Sequence, residues 1–361
     1  MAAVTAAMVK QLRDLTGAGM SACKNALVEC DGDIDAAVDA LRKRGEAQAV
    51  KKASRIAAEG LVRVDVKDGK GVVVEVNSET DFVAKNEKFQ NFVQGVADQV
   101  LASDAADVEG LLAEQWVADP TQTVREVLVN MISTIGEKLD IRRFAKIDSG
   151  KLVVSYTHGG GRIGVLVEAE AENKEAAEEA LKNIAMQVAA MNPQYVSRAD
   201  MSADEIAKLR EITIDSSLNT PDSLPKPILN KLIAKAVDGV WSAEDVAAYE
   251  EHKNNMQYLF NFLSKEAKTQ LAELAMQDKA EIAADKIFSG AVEGRVSKQL
   301  KEICLLDQVY VKAEDGKQTV AKYLESVDKS LKITKTIRFE VGEGIEKRQE
   351  NFAEEVAKQM A

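Results

Sequence analysis

Five apolar residues of this chain recur at a fixed interval. Phe89, Phe92, Val93, Val96 and Ala97 are answered 92 positions later by Leu181, Ile184, Ala185, Val188 and Ala189. The strand-like wording ahead of each set repeats too, Gly71-Val-Val-Val-Glu75 against Gly164-Val-Leu-Val-Glu168, at an offset of 93. A further set, Thr123, Val124, Val127, Leu128 and Met131, returns 196 positions on as Thr319, Val320, Tyr323, Leu324 and Val327. Each copy closes on a related string, Ile141-Arg-Arg-Phe144 and Ile337-Arg-Phe339. Residues 61–66 and 72–76 predict a hairpin around Asp68-Gly69; residues 152–156 and 163–167 predict another around Gly159-Gly160-Gly161. Hairpin, helix, helix and closing strand, written twice, predict two copies of one α+β layer unit with small antiparallel sheets.

Ahead of the duplication, residues 1–56 read as three short helices. Met8, Val9, Leu12 and Leu15 share one face of the first, which Gly17 and Gly19 break. The second, with Ser21 as its expected cap, carries Cys23, Ala26, Leu27 and Cys30 toward one core. Asp31-Gly32-Asp33 turns the chain, Asp33 caps the third helix, and Gly45 is its expected stop. The second copy of the duplicated unit is interrupted between Met191-Asn-Pro193 and Leu305 by about a hundred residues of helical pattern. Four of the five prolines fall at 193–227 and mark bends there. Beyond them Leu229, Leu232, Ile233 and Ala236 form one stripe, and Tyr258, Leu259, Phe262, Leu263, Leu271 and Leu274 another. An insertion this helical predicts a protruding antiparallel arm whose stripes bury against each other or against a partner. Residues 345–361 predict a C-terminal helix.

The chemistry that enzymes need is missing from the string. The two histidines, His158 and His252, stand 94 positions apart, so no H-e-x-x-H zinc site exists. His158-Gly-Gly-Gly161 matches an oxyanion-loop wording, but the chain has no G-x-S-x-G elbow to go with it. Gly17-Ala-Gly19 follows a helix rather than a strand, which removes the dinucleotide-binding geometry, and no phosphate-cradling P-loop is present. Three cysteines form no C-x-x-C pair. No enzyme, metal or cofactor is expected. A net charge of −12 opposes direct binding of nucleic acid. The one basic run, from Arg42-Lys43-Arg44 to Arg55, reads as a solvated helix end. No run approaches the roughly 20 apolar residues of a membrane span, and the N-terminus lacks a signal-peptide pattern, so a cytoplasmic protein is expected.

One string remains, Thr80-Asp81-Phe82-Val83-Ala84-Lys85-Asn86, just after the first hairpin. Thr80 is expected to cap a helix with its hydroxyl, and Asp81 to sit in the first turn where the dipole favours a carboxylate. Phe82 either packs inward as a staple at the helix entrance or stands out, where it can enter a pocket on another protein.

Taken in order, the strings resemble bacterial translation elongation factor Ts, the family of nucleotide exchange factors for elongation factor Tu. The resemblance rests on Leu15-Thr-Gly-Ala-Gly-Met20 with Cys23-Lys24, Asp31-Gly-Asp33, Glu75-Val-Asn77, Thr80 to Lys85 and Asp140-Ile-Arg-Arg143. It continues through Tyr156, His158-Gly159, Arg162-Ile-Gly-Val-Leu-Val167 and Ile337-Arg-Phe-Glu-Val-Gly-Glu-Gly-Ile-Glu-Lys347. It covers everything except the helical arm, which is longer here than in the shorter members. The resemblance implies a UBA-like three-helix module at 1–56 and a duplicated core at 57–147, 148–198 and 305–344. It further implies a coiled-coil-like insertion at 199–304 and a C-terminal helix at 345–361. It also implies that Phe82, with Asp81 beside it and Thr80 and Val83 flanking, wedges into the GTPase and disturbs the groups holding its magnesium. Lys24, Ile135, Gly136 and His158 are implied as further partner contacts. Val311 lies in a segment, 309–312, whose apolar character suits another, although Lys312 departs from the family's wording. Elongation factor Tu is the implied partner, and the arm offers a route to a homodimer or a 2:2 complex. The competing class is a structural or chaperone-like binding module.

Overall fold

The computed structural model describes residues 4–346, which form two compact units; Pro193–Ala321 makes one, and the described residues on either side of it make the other.

The first unit opens with α1 (Ala6–Thr16), α2 (Met20–Glu29) and α3 (Ile34–Lys52). Thr5 caps α1 by accepting the Met8 N–H, and Asp33 caps α3 by accepting that of Ala36 at 3.0 Å. Val9, Leu12, Cys23, Ala26, Leu27 and Ala37 fill the small core, with Cys30 half-buried against it. Two expectations fail here. Ser21 lies inside α2, whose N-cap is Gly19 with no side-chain bond. Gly45 does not stop α3, which runs on to Lys52. A Cβ at Gly45 would stand 3.3 Å from Cγ1 of Val129, so the missing side chain serves the close passage of another helix rather than a helix end.

The duplicated core follows. β1 (Glu59–Lys67) and β2 (Lys70–Ser78) lead through α4 (Asp81–Ala84) into α5 (Glu87–Ala102), α6 (Val108–Ala113), the small hairpin β3 (Gln115–Trp116) and β4 (Asp119–Thr123), and α7 (Val124–Ile135). Then come β5 (Leu139–Ile147), β6 (Leu152–His158), β7 (Ile163–Glu170) and α8 (Lys174–Met191). β1-β2-β5 form one antiparallel sheet. Every residue of the matched α5 and α8 sets is buried, from Phe89 and Leu181 to Ala97 and Ala189. The two sheets meet at the matched glycines: a Cβ on Gly71 would lie 2.8 Å from Val153, and one on Gly164 2.5 Å from Val62. Val62, Val64, Val73, Val153 and Leu166 fill the seam between them.

The second unit carries α9 (Ala203–Leu218), α10 (Lys226–Val237), α11 (Ala243–His252), α12 (Met256–Phe262), α13 (Lys265–Gln277), α14 (Lys279–Ala284) and α15 (Lys286–Ile303). These helices, the longest of 18 residues, pack around a core of their own, including Leu218, Leu232, Ile233, Trp241, Leu259, Leu271 and Phe288. The breaks have local causes, since Ser242, Ser264 and Asp285 each cap a new helix. The unit also exceeds the expected 199–304. Leu305 and Leu306 donate backbone bonds to Tyr195 and Val196 at 2.9 and 3.0 Å, and the unit extends to Ala321. The chain then returns through α16 (Val320–Val327) to β8 (Lys332–Glu340), which completes the sheet β6-β7-β8. Of the C-terminal helix expected at 345–361, residues 347–361 lie outside the described residues, and Ile345 and Glu346 are not helical. Among the described residues, no helix is long and apolar enough to cross a membrane.

Candidate functional site

The end of β2 and the end of α7 are tied to each other crosswise. After Ser78, whose hydroxyl donates to the Thr80 carbonyl at 3.0 Å, the chain reaches Glu79-Thr80. Thr80 gives both its donors to one carboxylate, its N–H to Glu137 Oε2 at 3.0 Å and its hydroxyl to Oε1 at 2.7 Å. Glu79 returns the arrangement by accepting the Lys138 N–H at 2.5 Å, and Arg55 Nη1 at 3.2 Å to each of its oxygens. The Lys138 ammonium closes the ring on the Arg55 carbonyl at 2.9 Å. Thr80 therefore holds the N-cap position of α4 without capping it by its side chain. The hydroxyl donates its proton to the Glu137 carboxylate, a charge-assisted bond that fixes its rotamer, and no helix N–H donates to its oxygen.

On that stem sits a single helical turn. Val83 is buried in the core with Phe89 and Ile141, which fixes the turn from below. Its side chain is thus the anchor of the string. Phe82 is 76 % exposed, which excludes the staple reading. Its only ring partner among the described residues is the Lys85 ammonium, 5.9 Å from the ring centroid, and Lys85 also lies 3.7 Å from Asp81. Asp81 and Phe82 are therefore presented together to solvent. Ile135 packs half-buried against the same core as Val83, and Gly136 ends α7 with φ 85°, its N–H on the Ile132 carbonyl at 2.9 Å. The next residue is Glu137, whose bonds to Thr80 make Ile135-Gly136 and Thr80–Phe82 one surface feature.

The remaining expected residues stand on separate elements. His158 is exposed at the end of β6, its Nδ1 3.0 Å from the Tyr156 hydroxyl. The glycines after it make a tight turn, and the Gly161 carbonyl accepts the Val62 N–H at 2.7 Å, docking the tip on β1. Lys24 is exposed on α2. Val311, 49 % exposed, belongs to the second unit. Three of the six residues of the basic run are in ion pairs: Arg42 with Glu126 at 3.3 Å, Arg44 with Glu29, and Arg55 with Glu79. Sequence reasoning missed Glu79, Glu137 and Lys138. Neither periodicity nor spacing marks them, and the one available signal was a carboxylate directly after a helix-ending glycine.

Comparison with known proteins follows the same strings. The family model described as elongation factor TS matches residues 79–343, from Glu79 of the clamp to Glu343 beyond β8. An elongation factor Ts of Clostridioides difficile is 44 % identical over 365 residues, covering all of both chains. One of Halothermothrix orenii is 38 % identical across 98 % of this chain and 97 % of its own. One of Clostridium novyi is 42 % identical across 99 % of each. These alignments run through the second unit as well as the duplicated core.

Proposed function

The chain belongs to the elongation factor Ts family, and on that premise we propose that this translation elongation factor acts as a guanine nucleotide exchange factor. It binds elongation factor Tu in its GDP form, disturbs the Mg²⁺ and phosphate site, and releases GDP so that GTP can enter. The observation that carries this reading is Phe82, a large aromatic side chain 76 % exposed on a turn anchored from below and clamped from the side. A single exposed apolar residue is ordinary on its own; the place of Phe82, between the buried Val83 and the Thr80–Glu137 bonds, is what supports the reading.

The physics is linkage. A GTPase holds its nucleotide through Mg²⁺ and phosphate contacts. A factor that binds the empty GTPase more tightly than the filled one weakens nucleotide binding by the same ratio. Burying Phe82 supplies about 1.5–3 kcal/mol, and each ~1.4 kcal/mol used differentially is tenfold in nucleotide affinity. The wedge alone is too small for a large acceleration. Lys24, Ile135, Gly136, His158 and Val311 widen the interface that holds it, and Asp81 brings a carboxylate beside the Mg²⁺ ligands. We assign the N-terminal module a UBA-like fold and the second unit a role in a homodimer or 2:2 complex. No bond is made or broken, so the protein is a binding catalyst of exchange and not an enzyme.

Release of a fluorescent GDP from elongation factor Tu, followed by stopped flow at saturating factor, tests the reading. Phe82→Ala is expected to slow release by an amount that matches loss of a buried aromatic anchor, about 2–4 kcal/mol. Asp81→Ala is expected to do less, since its charge is solvent-screened. An unchanged rate with Phe82→Ala, or no acceleration by the unaltered protein, returns the chain to the class of plain binding modules.

A further inference from the structure

We propose that Glu137 is a positioning residue for nucleotide exchange, acting through Thr80 on the turn that presents Phe82; this rests on the exchange reading above. The helix α4 has four residues and no side-chain cap of its own; Val83 anchors it from below but leaves its N-terminal end to be fixed from elsewhere. Its orientation comes from outside. Glu137 takes both donors of Thr80, at 3.0 and 2.7 Å, from 57 positions away. Glu79 takes the Lys138 N–H at 2.5 Å from 59 positions away. Adjacent residues at the end of β2 and adjacent residues after α7 thus exchange carboxylates in opposite directions. A two-bonded clamp of this kind fixes both the position and the rotation of Thr80. Phe82 lies only two residues beyond it.

Glu137 also sits directly after Ile135-Gly136, so the same residue sets the height of Phe82 relative to that second surface. Binding energy from an aromatic anchor is realised only when the anchor arrives oriented; an anchor that must be ordered on contact loses part of it. Glu137 therefore raises the exchange rate without needing to touch the GTPase.

The test uses the full chain and elongation factor Tu loaded with a fluorescent GDP, with Glu137→Ala, Glu137→Gln, Phe82→Ala and the double variant Glu137→Ala/Phe82→Ala. Glu137→Ala is expected to slow GDP release roughly three- to tenfold, the scale of ordering one or two side chains on binding. Glu137→Gln, which keeps one oxygen for Thr80, should fall between. In the Phe82→Ala background, Glu137→Ala should add nothing, because the group it positions is gone. A merely structural role would lower the melting temperature and slow release in both backgrounds alike, and that result overturns the proposal. If Phe82→Ala slows release and Glu137→Ala does not, the positioning role falls alone. If Phe82→Ala has no effect, the exchange wedge falls first and the proposal with it. Should Glu137→Ala fail to fold, Thr80→Val decides: it removes one of the two bonds, and slower release that vanishes in the Phe82→Ala background supports the clamp. Unchanged release overturns it.

Discussion

Arg142 donates to the fully buried carboxylate of Glu75 at 2.9 Å from the extra position of a β-bulge. Glu75 faces Arg143 and Val76 faces Ile141, which leaves Arg142 outside the ladder. The second sheet repeats the device at the matching place. Glu168 faces Lys335 and Ala169 faces Ile333, Thr334 is left out, and its hydroxyl donates to Glu168. A bulge turns one side chain back toward its own sheet, and in both copies it delivers a donor to a buried glutamate. The duplication therefore extends below the apolar pattern to the polar groups that the pattern buries.

Glu75 also accepts Arg143 Nε at 2.5 Å and the Gly342 N–H at 2.8 Å, so it ties the turn after β8 to a strand 267 residues earlier. Glu75→Ala leaves two guanidinium groups without their buried partner. Removing one member of such a pair costs about 3–5 kcal/mol. At roughly 2–4 °C per kcal/mol for a unit of this size, the melting temperature of the first unit should fall by about 6–20 °C. Calorimetry checks this, and a shift of only a degree or two would mean that water replaces the carboxylate at little cost.

The second unit has its own core and its own caps. Replacing residues 194–318 by a short Gly/Ser linker should leave a protein that still melts cooperatively, because closing a longer or shorter loop changes the free energy slowly with length. Loss of the cooperative transition would show that the core depends on the insertion. A piece spanning 193–321 should in turn give a far-ultraviolet spectrum of folded helix.

The duplicated core was legible because burial on one face leaves a period in the sequence, and the α5 and α8 sets are buried to the last residue. What escaped was decided by contacts distant along the chain. Gly45 reads as a stop until Val129 is seen to pass beside it. Thr80 reads as a cap, but its hydroxyl is turned to Glu137, 57 positions on, and accepts no helix N–H. The string around Phe82 could not say which of its apolar residues faces in, since a single turn has no period; Val83 anchors it and Phe82 does not. In the insertion, helical stripes were visible, but the capping serines that divide them were not read as breaks.

Acid should loosen the second unit through Asp245. This carboxylate, nearly buried, accepts Ser242 Oγ at 2.7 Å, the Ser264 N–H at 2.9 Å and Ser264 Oγ at 3.0 Å, joining the starts of α11 and α13. Burial pushes its pKa up, but these three bonds outweigh burial and hold it below the ordinary 3.8. A folded-state pKa below the unfolded one means that the unfolded chain binds the extra proton. Its stabilisation is thus complete above about pH 5 and is lost as pH falls through 3.8 toward the folded value. Asp245→Asn should lower the stability of the unit at pH 7, by about 1–3 kcal/mol if one acceptor is lost, and flatten its dependence on pH between 5 and 3. Equal pH slopes in chemical denaturation of both proteins would remove Asp245 as the cause.

His158 should matter for exchange and not for folding. It is exposed at the end of β6, and its hydrogen bond to Tyr156 lies on the surface, where a net contribution of about 1 kcal/mol or less is expected. The hairpin tip does not need it, because the bond from Val62 to the Gly161 carbonyl holds the tip to β1 through the backbone. His158→Ala should therefore shift the melting temperature by no more than a few degrees while slowing GDP release from elongation factor Tu several-fold. Tyr156→Phe is the informative companion. It frees the imidazole without removing it, so a large loss with His158→Ala and a small one with Tyr156→Phe places the contact on the ring itself. Equal losses would instead mean that the Tyr156 hydroxyl orients the ring, and normal release with a lower melting temperature would make His158 a residue of the hairpin alone.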